Sequence, residues 1–239
     1  MKVFITGSTG TVGGGVLERC LAHPQITSVV ALTRRPLDIQ NLKLNNIIHK
    51  DFLTYNDNLV EQLKGSEACI WYSHLLEDCE TPANVLHRAL GSPTSGKEVH
   101  VDYTNAVLKM CREHLVPQLP QGKKFRFVYT SGGLVPYLDS NALFFLGAAR
   151  KLRGDMDRAV VKVAEDHPDS WESYIARPWY VLPKRPAVVT AVFGENAWIH
   201  IPQLGAAMVD AAMNGSEQVY MDCGFMKKKG EQALKVQPN

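Results

Sequence analysis

Short apolar runs alternate with segments of helical periodicity along most of the chain. Six runs rich in β-branched, aromatic and other apolar residues have the length of buried strands, and they lie at residues 3–5, 29–32, 47–48, 68–72, 125–130 and 174–176. Between and after them, apolar positions recur at helical spacing in residues 59–63, 99–115, 152–166 and 202–214. This alternation predicts parallel β-α-β units, and so an α/β fold with a doubly wound, mostly parallel sheet.

The alternation of predicted strands and helices is less regular in two segments. Residues 75–97 form a polar connection, and a loop of this length is usually functional or disordered. A short helix over residues 84–90 is possible within it. The lysine-rich segment from residue 227 onward predicts a solvated tail.

The first strand runs directly into a glycine-rich turn and then into a helix. The turn reads Thr-Gly-Ser-Thr-Gly-Thr-Val-Gly at residues 6–13. Gly7 allows the chain to reverse, Gly10 allows a pyrophosphate to approach the backbone, and Gly13 allows the helix to pack tightly on the strand. The free N–H groups and partial positive charge of a helix start favour phosphates. The predicted nucleotide contacts in this element are Gly7, Thr9, Gly10, Thr11, Val12 and Gly13. A glycine turn without a ligand is the alternative.

Two arginines follow the second predicted strand, at the place where a carboxylate would bind the ribose of NAD. Arg34 and Arg35 can instead hold a 2′-phosphate through charge-assisted hydrogen bonds, so the sequence predicts NADP(H) as the cofactor. Two alternatives stay open. The pair can be ordinary surface arginines, or Asp38 can restore NAD binding if its loop folds back.

The glycine spacing, with Thr6 in front of it, resembles that of the extended and atypical short-chain dehydrogenases/reductases, a superfamily of NAD(P)-binding Rossmann-fold proteins that includes the nucleoside-diphosphate-sugar epimerases. The resemblance covers residues 1–215. It implies that Asp51 accepts a hydrogen bond from the adenine amine and that the Phe52 backbone helps to hold the ring. The alternative role of Asp51 is that of a loop or helix-cap residue.

The resemblance also places part of the catalytic site. Ser131 follows the fifth predicted strand where the family has its active-site serine, which implies a hydrogen bond to the substrate oxygen. Arg177 and Pro178 match the family's Arg-Pro-Gly turn beside the nicotinamide, with Trp179 in place of the glycine.

The chain departs from the family at the residue that moves the proton. The family carries Tyr-x-x-x-Lys on the helix after the fifth strand, and one helical turn puts both side chains on one face. Residues 154–157 resemble a helix start of atypical members and place Arg153 at the lysine position and Ala149 at the tyrosine position. An arginine can hold a ribose, but an alanine donates no proton. A shifted alignment gives Lys151 with Gly147, again without a tyrosine.

Other side chains near the predicted strand ends can replace the missing proton donor. Tyr137 lies in the loop after the fifth strand, and its alternative role is that of a partly buried loop aromatic. His74 follows the fourth strand directly after Ser73, which we assign to the cofactor contacts; a solvated loop histidine is the alternative. Tyr103 is predicted to belong to the core.

Three functions are compatible with these residues. The first is an NADP(H)-dependent oxidoreductase of the atypical type acting on a small organic carbonyl or alcohol, with Ser131, Tyr137, His74 and Arg153 as its candidate catalytic residues. The second is a non-redox isomerase, cyclase or dehydratase on the same scaffold. The third is a catalytically silent NADPH-binding regulatory protein. The absence of the tyrosine supports the second and the third function equally.

The composition restricts the partners, the cellular compartment and the metal sites that we expect. The chain has 239 residues and a formal net charge of +2, which indicates no nucleic-acid or membrane partner. The first strand begins almost at Met1, so we expect no signal peptide, and the 5 scattered cysteines suit reduced thiols in the cytoplasm. The 8 histidines show no metal-ligand spacing.

We expect one Rossmann-like domain over residues 1–239, with a cofactor-binding core at about 1–180, a substrate-side segment at about 181–225 and a tail at 226–239. The helices predicted at residues 99–115 and 152–166 are a possible homodimer interface, because many members of the resembling family pair through them.

Overall fold

A parallel sheet forms the centre of the computed structural model, which describes residues 1–72, 101–132, 147–182, 190–191 and 194–236, and for 147–152 and 236 the backbone alone. Its strands are β1 (Lys2–Thr6), β2 (Ser28–Thr33), β3 (Leu44–Ile48), β4 (Ser66–Trp71), β5 (Phe125–Thr130), β6 (Trp171–Arg177) and β9 (Tyr220–Asp222); β7 (Tyr180–Leu182) and β8 (Trp198–His200) form a separate pair. The helices are α1 (Thr11–Ala22), α2 (Asp57–Leu63), α3 (Tyr103–Met110), α4 (Gly147–Asp166), α5 (Ile201–Asn214) and α6 (Cys223–Val236).

The order of the strands reverses in the middle of the sheet. The 7-stranded sheet runs β3-β2-β1-β4-β5-β6-β9, and all its neighbouring strands are parallel. The chain moves outward from β1 to β3 and then returns to build the other half from β4. Because the order reverses between β1 and β4, ligands of such sheets bind beyond the carboxyl ends of these strands.

Both faces of the sheet are covered by helices. On β1, Val3 and Ile5 belong to the core shared with α1, α5 and α6, whereas Phe4 belongs to the core shared with α2, α3 and α4. Burial on both sides explains why these strands read as continuous apolar runs. Within the described ranges, no helix combines the length and the apolar character needed to cross a membrane.

All six predicted strands are confirmed, and β9 adds a seventh that the sequence pattern missed. The helix predicted over residues 99–115 is confirmed in its described part, residues 101–115, but it is not α-helical throughout. Its α-helical part is α3, and a π-helical turn over Cys111–Leu115 follows. Pro117 has no N–H to donate to the carbonyl four residues earlier, which ends regular α-helical bonding near this point. Helix α4 begins at Gly147 rather than at residue 152. The predicted loop at residues 75–97 and its short helix lie outside the described residues.

The prediction of a solvated tail is wrong for residues 226–236, which belong to α6. Met226 is fully buried, and a Cβ at Gly230 would lie 2.0 Å from the carbonyl oxygen of Gln203, so α6 packs directly on α5. Two of the lysines that suggested solvation contact the protein: Lys227 Nζ lies 3.5 Å from the centre of the Trp198 ring, and Lys229 Nζ donates to Glu217 Oε1 at 2.7 Å. The division of the domain into a core and a substrate-side segment stays a prediction.

An ion-pair group joins β5 to β6. Arg126 Nε donates to Glu172 Oε2 at 2.8 Å, and the Tyr174 hydroxyl donates to the same oxygen at 3.0 Å. Partial burial acts to raise the pKa of the Glu172 carboxyl. The hydrogen bonds from Arg126 and Tyr174 and the charges of Arg126 and Lys124 outweigh it, so the pKa lies below its ordinary value.

Glu172→Gln is therefore expected to lower the free energy of unfolding near neutral pH by about 1 kcal/mol, since solvent partly screens the pair. Because the folded pKa is lowered, the stabilisation is present above the ordinary pKa of the carboxyl and is lost as the pH falls through the folded value. Urea unfolding of both proteins from neutral to acidic pH should show the difference closing. Glu217→Gln, at an exposed pair with Lys229, should change little. A difference that does not vary with pH would contradict the assignment.

Candidate functional site

The glycine turn after β1 is the first part of the candidate site. Gly7 has a φ of 73°, a left-handed conformation that glycine adopts without strain. The N–H of Gly10 donates to the carbonyl of Gly7 at 3.0 Å, and α1 starts at the next residue. The predicted reversal of the chain at Gly7 is confirmed.

Two other glycines of the motif have different surroundings. A Cβ at Gly13 would lie 2.1 Å from the carbonyl oxygen of Gly7, so the helix packs against the turn itself rather than against the strand. At Gly10 the nearest atom among the described residues would be the same oxygen, at 3.5 Å, which is an ordinary contact. Gly13 is therefore required by packing inside the protein, whereas Gly10 leaves room on the outer side of the turn.

The first turn of α1 is suited to an anion. Gly10 is its N-cap residue, no side chain in the described part of the chain caps it, and its first turn carries no acidic residue. Thr9 and Thr11 are exposed, and Val12 is half-buried against the core. Free N–H groups at a helix start bind phosphate groups. The residues present thus fit the pyrophosphate of a dinucleotide.

The two predicted phosphate-binding arginines lie at the end of β2. Arg34 and Arg35 are both exposed, directly after the buried Thr33. The N–H of His49 donates to the carbonyl of Thr33 at 2.7 Å, so the ends of β2 and β3 lie side by side. Asp38, the residue that would favour NAD, is also exposed.

Asp51 is exposed just past β3 and closes a turn. Its carboxylate accepts from the N–H of Leu53 at 3.0 Å and from the Thr54 hydroxyl at 2.8 Å. These two hydrogen bonds lower the pKa of Asp51, so the carboxylate is charged at neutral pH. The turn role that we kept as an alternative is present, and an oxygen with spare lone pairs is still able to accept from an adenine amine.

Phe52 is buried beneath this turn in an aromatic group. Its ring centre lies 4.9 Å from that of His49, 5.7 Å from that of Tyr103 and 5.8 Å from that of Trp71. Tyr103 is half-buried and packs against this core, as predicted.

Ser131 lies at the end of β5 beside a buried ion pair. Its N–H donates to the carbonyl of Ala176 at 2.8 Å. Its hydroxyl lies next to the Asp157 carboxylate. The hydrogen-bond donor to that carboxylate is Arg177, whose Nη2 and Nε donate to Oδ2 at 2.8 and 3.0 Å. Burial raises the pKa of Asp157, against the opposing effects of the Ser131 hydroxyl and of the arginine charges. The guanidinium of Arg177 lies 4.1 Å from the centre of the Tyr220 ring.

Arg153 lies between the ends of β4 and β5. Its Nη1 is 3.3 Å from the position that a Cβ at Gly132 would take. Its charge acts on both Tyr72 and Asp157. Burial raises the pKa of Tyr72 to about 12, and Arg153 acts in the opposite direction. The ring of Tyr72 also covers the turn, since a Cβ at Gly7 would lie 2.8 Å from its Cδ1.

The remaining candidates divide into two groups. Pro178 is buried directly after β6, and Ala149 lies in α4. Ser73, His74 and Tyr137 lie outside the described residues. In the described ranges no three His, Cys, Asp or Glu side chains are grouped so that they could hold a metal ion.

Sequence reasoning missed Tyr72 and the pairing of Asp157 with Arg177. One signal for Asp157 was available: it follows Arg153 by four residues, which places both on one face of the helix. For Tyr72 the signal was its position at the end of a predicted strand beside the glycine turn.

No protein-family model matches the chain. A curated protein, leucinostatins biosynthesis cluster protein T from Purpureocillium lilacinum, is 34% identical over 73 residues. This match covers 30% of the chain and 27% of the relative, so the chain matches only about a quarter of the relative's length.

Solved structures resemble the whole described fold. The oxidoreductase ylbE from Lactococcus lactis is 18% identical with a TM-score of 0.62, covering 100% of this chain and 99% of that one. A short-chain dehydrogenase from Burkholderia cenocepacia in complex with NADP is 16% identical with a TM-score of 0.63, covering 98% and 92%. The structural neighbours are consistently short-chain dehydrogenases/reductases and related NAD(P)-binding Rossmann proteins. At these identities the likeness shows the fold.

Proposed function

We propose that this chain, which has the fold of the short-chain dehydrogenases/reductases, binds NADP(H) and transfers a hydride between it and a small organic carbonyl or alcohol compound. The observation that carries the proposal is the open first turn of α1 on its glycine turn. It offers free N–H groups to a pyrophosphate, has no acidic residue, and lies where the order of the strands reverses.

NADP(H) is preferred over NAD(H) because of the charges after β2. Arg34 and Arg35 are exposed at the place where the adenine ribose lies in such folds. Guanidinium groups attract a 2′-phosphate and can bind it through bidentate hydrogen bonds. Asp38 is the residue that would support NAD if its loop turned back toward the ribose.

Two side chains have proposed roles on the nicotinamide side of the site. Ser131 would hydrogen-bond the substrate oxygen, and Arg153 would hold the nicotinamide ribose in place of the family's lysine. When bound, the nicotinamide ring supplies or accepts the hydride, and the protein contributes orientation and polarisation. Tyr137 and His74 stay candidates for moving the proton.

A non-redox reaction on the same scaffold is the second candidate. The observation that favours it is Ala149 in α4, at the position where the resembling family has its tyrosine. An isomerase, cyclase or dehydratase of this kind would form product without a net change in nicotinamide absorbance.

The double variant Arg34→Ala/Arg35→Ala tests the cofactor assignment. We expect its affinity for NADPH to fall about 100-fold, because hydrogen bonds to charged groups contribute about 1.5–3 kcal/mol each. The affinity for NADH should change less than about threefold, since NADH lacks the phosphate. Isothermal titration calorimetry with both cofactors measures this ratio.

The matched control is Lys109→Ala/Arg112→Ala, which removes two exposed charges from α3 and the turn after it. It should leave both affinities unchanged. An equal loss of NADPH and NADH affinity in the Arg34/Arg35 variant would refute the 2′-phosphate assignment. Wild-type protein that gives no heat with either cofactor would refute the proposed function.

A further inference from the structure

A fully buried carboxylate lies under the candidate catalytic serine. The Asp157 side chain has 0% exposure and that of Arg177 has 15%. Both hydrogen bonds from Arg177 reach Oδ2, while Oδ1 makes no well-formed hydrogen bond among the described residues. The Arg177 guanidinium also lies over the Tyr220 ring, 4.1 Å from its centre. One oxygen of Asp157 is therefore fixed, and the other is left with unused lone pairs.

The Ser131 hydroxyl, like Asp157 Oδ1, is buried and has no well-formed hydrogen bond among the described residues. Ser131 as a whole is 7% exposed. It lies next to the Asp157 carboxylate. A buried donor and a buried acceptor that stay unpaired side by side both lose the hydrogen bonds they make to water in the unfolded chain, which is unfavourable. A hydrogen bond from the Ser131 hydroxyl to Oδ1 would satisfy both groups.

We propose that Asp157, held by Arg177, is a positioning residue that accepts the hydroxyl proton of Ser131, so that Ser131 meets the substrate as a hydrogen-bond acceptor. The inference rests on the proposed function. A serine hydroxyl has one proton, and a proton directed at Asp157 is not available to a substrate carbonyl. The group that Ser131 then recognises is a donor, and the substrate class is an alcohol with its hydroxyl on the reacting carbon.

The oxidation of such an alcohol balances through these groups. The C–H bond of the carbinol carbon would break, and an oxidised nicotinamide cofactor, held by the first turn of α1 and by Arg34 and Arg35, would accept its hydride. The substrate hydroxyl proton passes to Ser131 Oγ as the proton of Ser131 passes to Asp157, and the carbonyl forms. The groups facing Asp157 are Arg177 from β6, Arg153 from its own helix and Ser131 after β5. Burial favours the protonated carboxyl, while these three groups favour the charged form.

Carbon-13 NMR of the aspartate carboxyls tests the pair in the free protein. Ser131→Ala should raise the pKa of Asp157 by about one pH unit, because the charged carboxylate loses a hydrogen bond. Ser131→Thr should restore the wild-type value, and exposed Asp51 should titrate alike in all three proteins. An unchanged Asp157 in Ser131→Ala overturns the proposal. The titration needs no cofactor. If the protein shows the pKa shift but binds no dinucleotide, the proposed function is refuted and the Ser131–Asp157 pair is supported.

Kinetics with a panel of secondary alcohols and NADP⁺ tests the role. Ser131→Ala and Asp157→Asn should each lower kcat about 100-fold with little change in KM for NADP⁺. The double variant should be no slower than Ser131→Ala, because Asp157 acts through the serine. If the kcat losses of the two single variants multiply in the double variant, the proposal is overturned, because Asp157 would then act independently of Ser131. If Asp157→Asn does not fold, the Ser131→Ala titration decides alone.

Discussion

Replacing Gly10 with aspartate is expected to abolish dinucleotide binding while leaving the protein folded. Gly10 is the N-cap residue of α1, with a φ of −98° and a ψ of 166°, and this extended conformation suits any L-residue. A Cβ there would meet the Gly7 carbonyl oxygen at 3.5 Å, an ordinary contact. Aspartate is among the best N-cap residues, so the free energy of unfolding should stay constant or rise by a few tenths of a kcal/mol.

The binding loss has two causes. The side chain occupies the space in which the pyrophosphate would approach the backbone, and its negative charge repels the phosphates. We expect calorimetry to show a loss of NADPH affinity of about 1000-fold or more, with a melting temperature at or above that of wild type.

Gly10→Asn is the matched control for charge. Asparagine has nearly the same shape and caps a helix equally well, but it is neutral. It should bind more weakly than wild type and more strongly than Gly10→Asp. Wild-type NADPH affinity in Gly10→Asp would show that no phosphate lies at the start of α1.

Gly13→Ala is expected to lower the free energy of unfolding by about 3 kcal/mol, at the upper end of what overpacking usually costs. Its Cβ would lie 2.1 Å from the carbonyl oxygen and 2.5 Å from the carbonyl carbon of Gly7. These are backbone atoms at the left-handed turn, so they cannot move aside as the end of a side chain can. Urea unfolding followed by circular dichroism measures the loss.

The adjacent Gly14→Ala provides the comparison within the same helix. Its Cβ would lie 3.5 Å from the nearest described atom, the carbonyl oxygen of Ser8. Alanine is favoured over glycine in a helix by about 1 kcal/mol, so this variant should equal or exceed wild type in stability. If the two variants unfold alike, the close approach of α1 to the Gly7 turn is not what determines the glycine at position 13.

The strands of this fold were readable where most of their residues are apolar or aromatic. Strand β5 was predicted with its observed bounds, whereas β6 was predicted only at residues 174–176. Its missed part contains Glu172, which is paired with Arg126, and Ser173, whose hydroxyl donates to the carbonyl of Val160 at 2.7 Å. Polar residues enter a buried strand when tertiary partners satisfy them, and those partners are distant in the sequence.

The same reasoning applies to α6. A run of three lysines at residues 227–229 indicates a solvated segment in isolation. In the fold, Lys227 lies over the Trp198 ring and Lys229 pairs with Glu217, while Met226 and Gly230 face the core. Long lysine side chains can cover apolar surface with their stems and keep the charge near water, so their presence does not separate a tail from a packed helix.

The sequence by itself determined the strand-turn-helix element and the placement of Arg34, Arg35, Asp51 and Ser131 after their strands. Those features depend on local contacts, such as that between Gly7 and Gly10, and on the rule that parallel strands end at one edge. Only the tertiary structure decided which charged and polar groups came together: it pairs Asp157 with Arg177, brings Ser131 next to Asp157, and brings the charge of Arg153 near Tyr72. These groups come from different strands and a helix, and what brings them together is the register of β5 against β6 and the packing of α4 on the sheet.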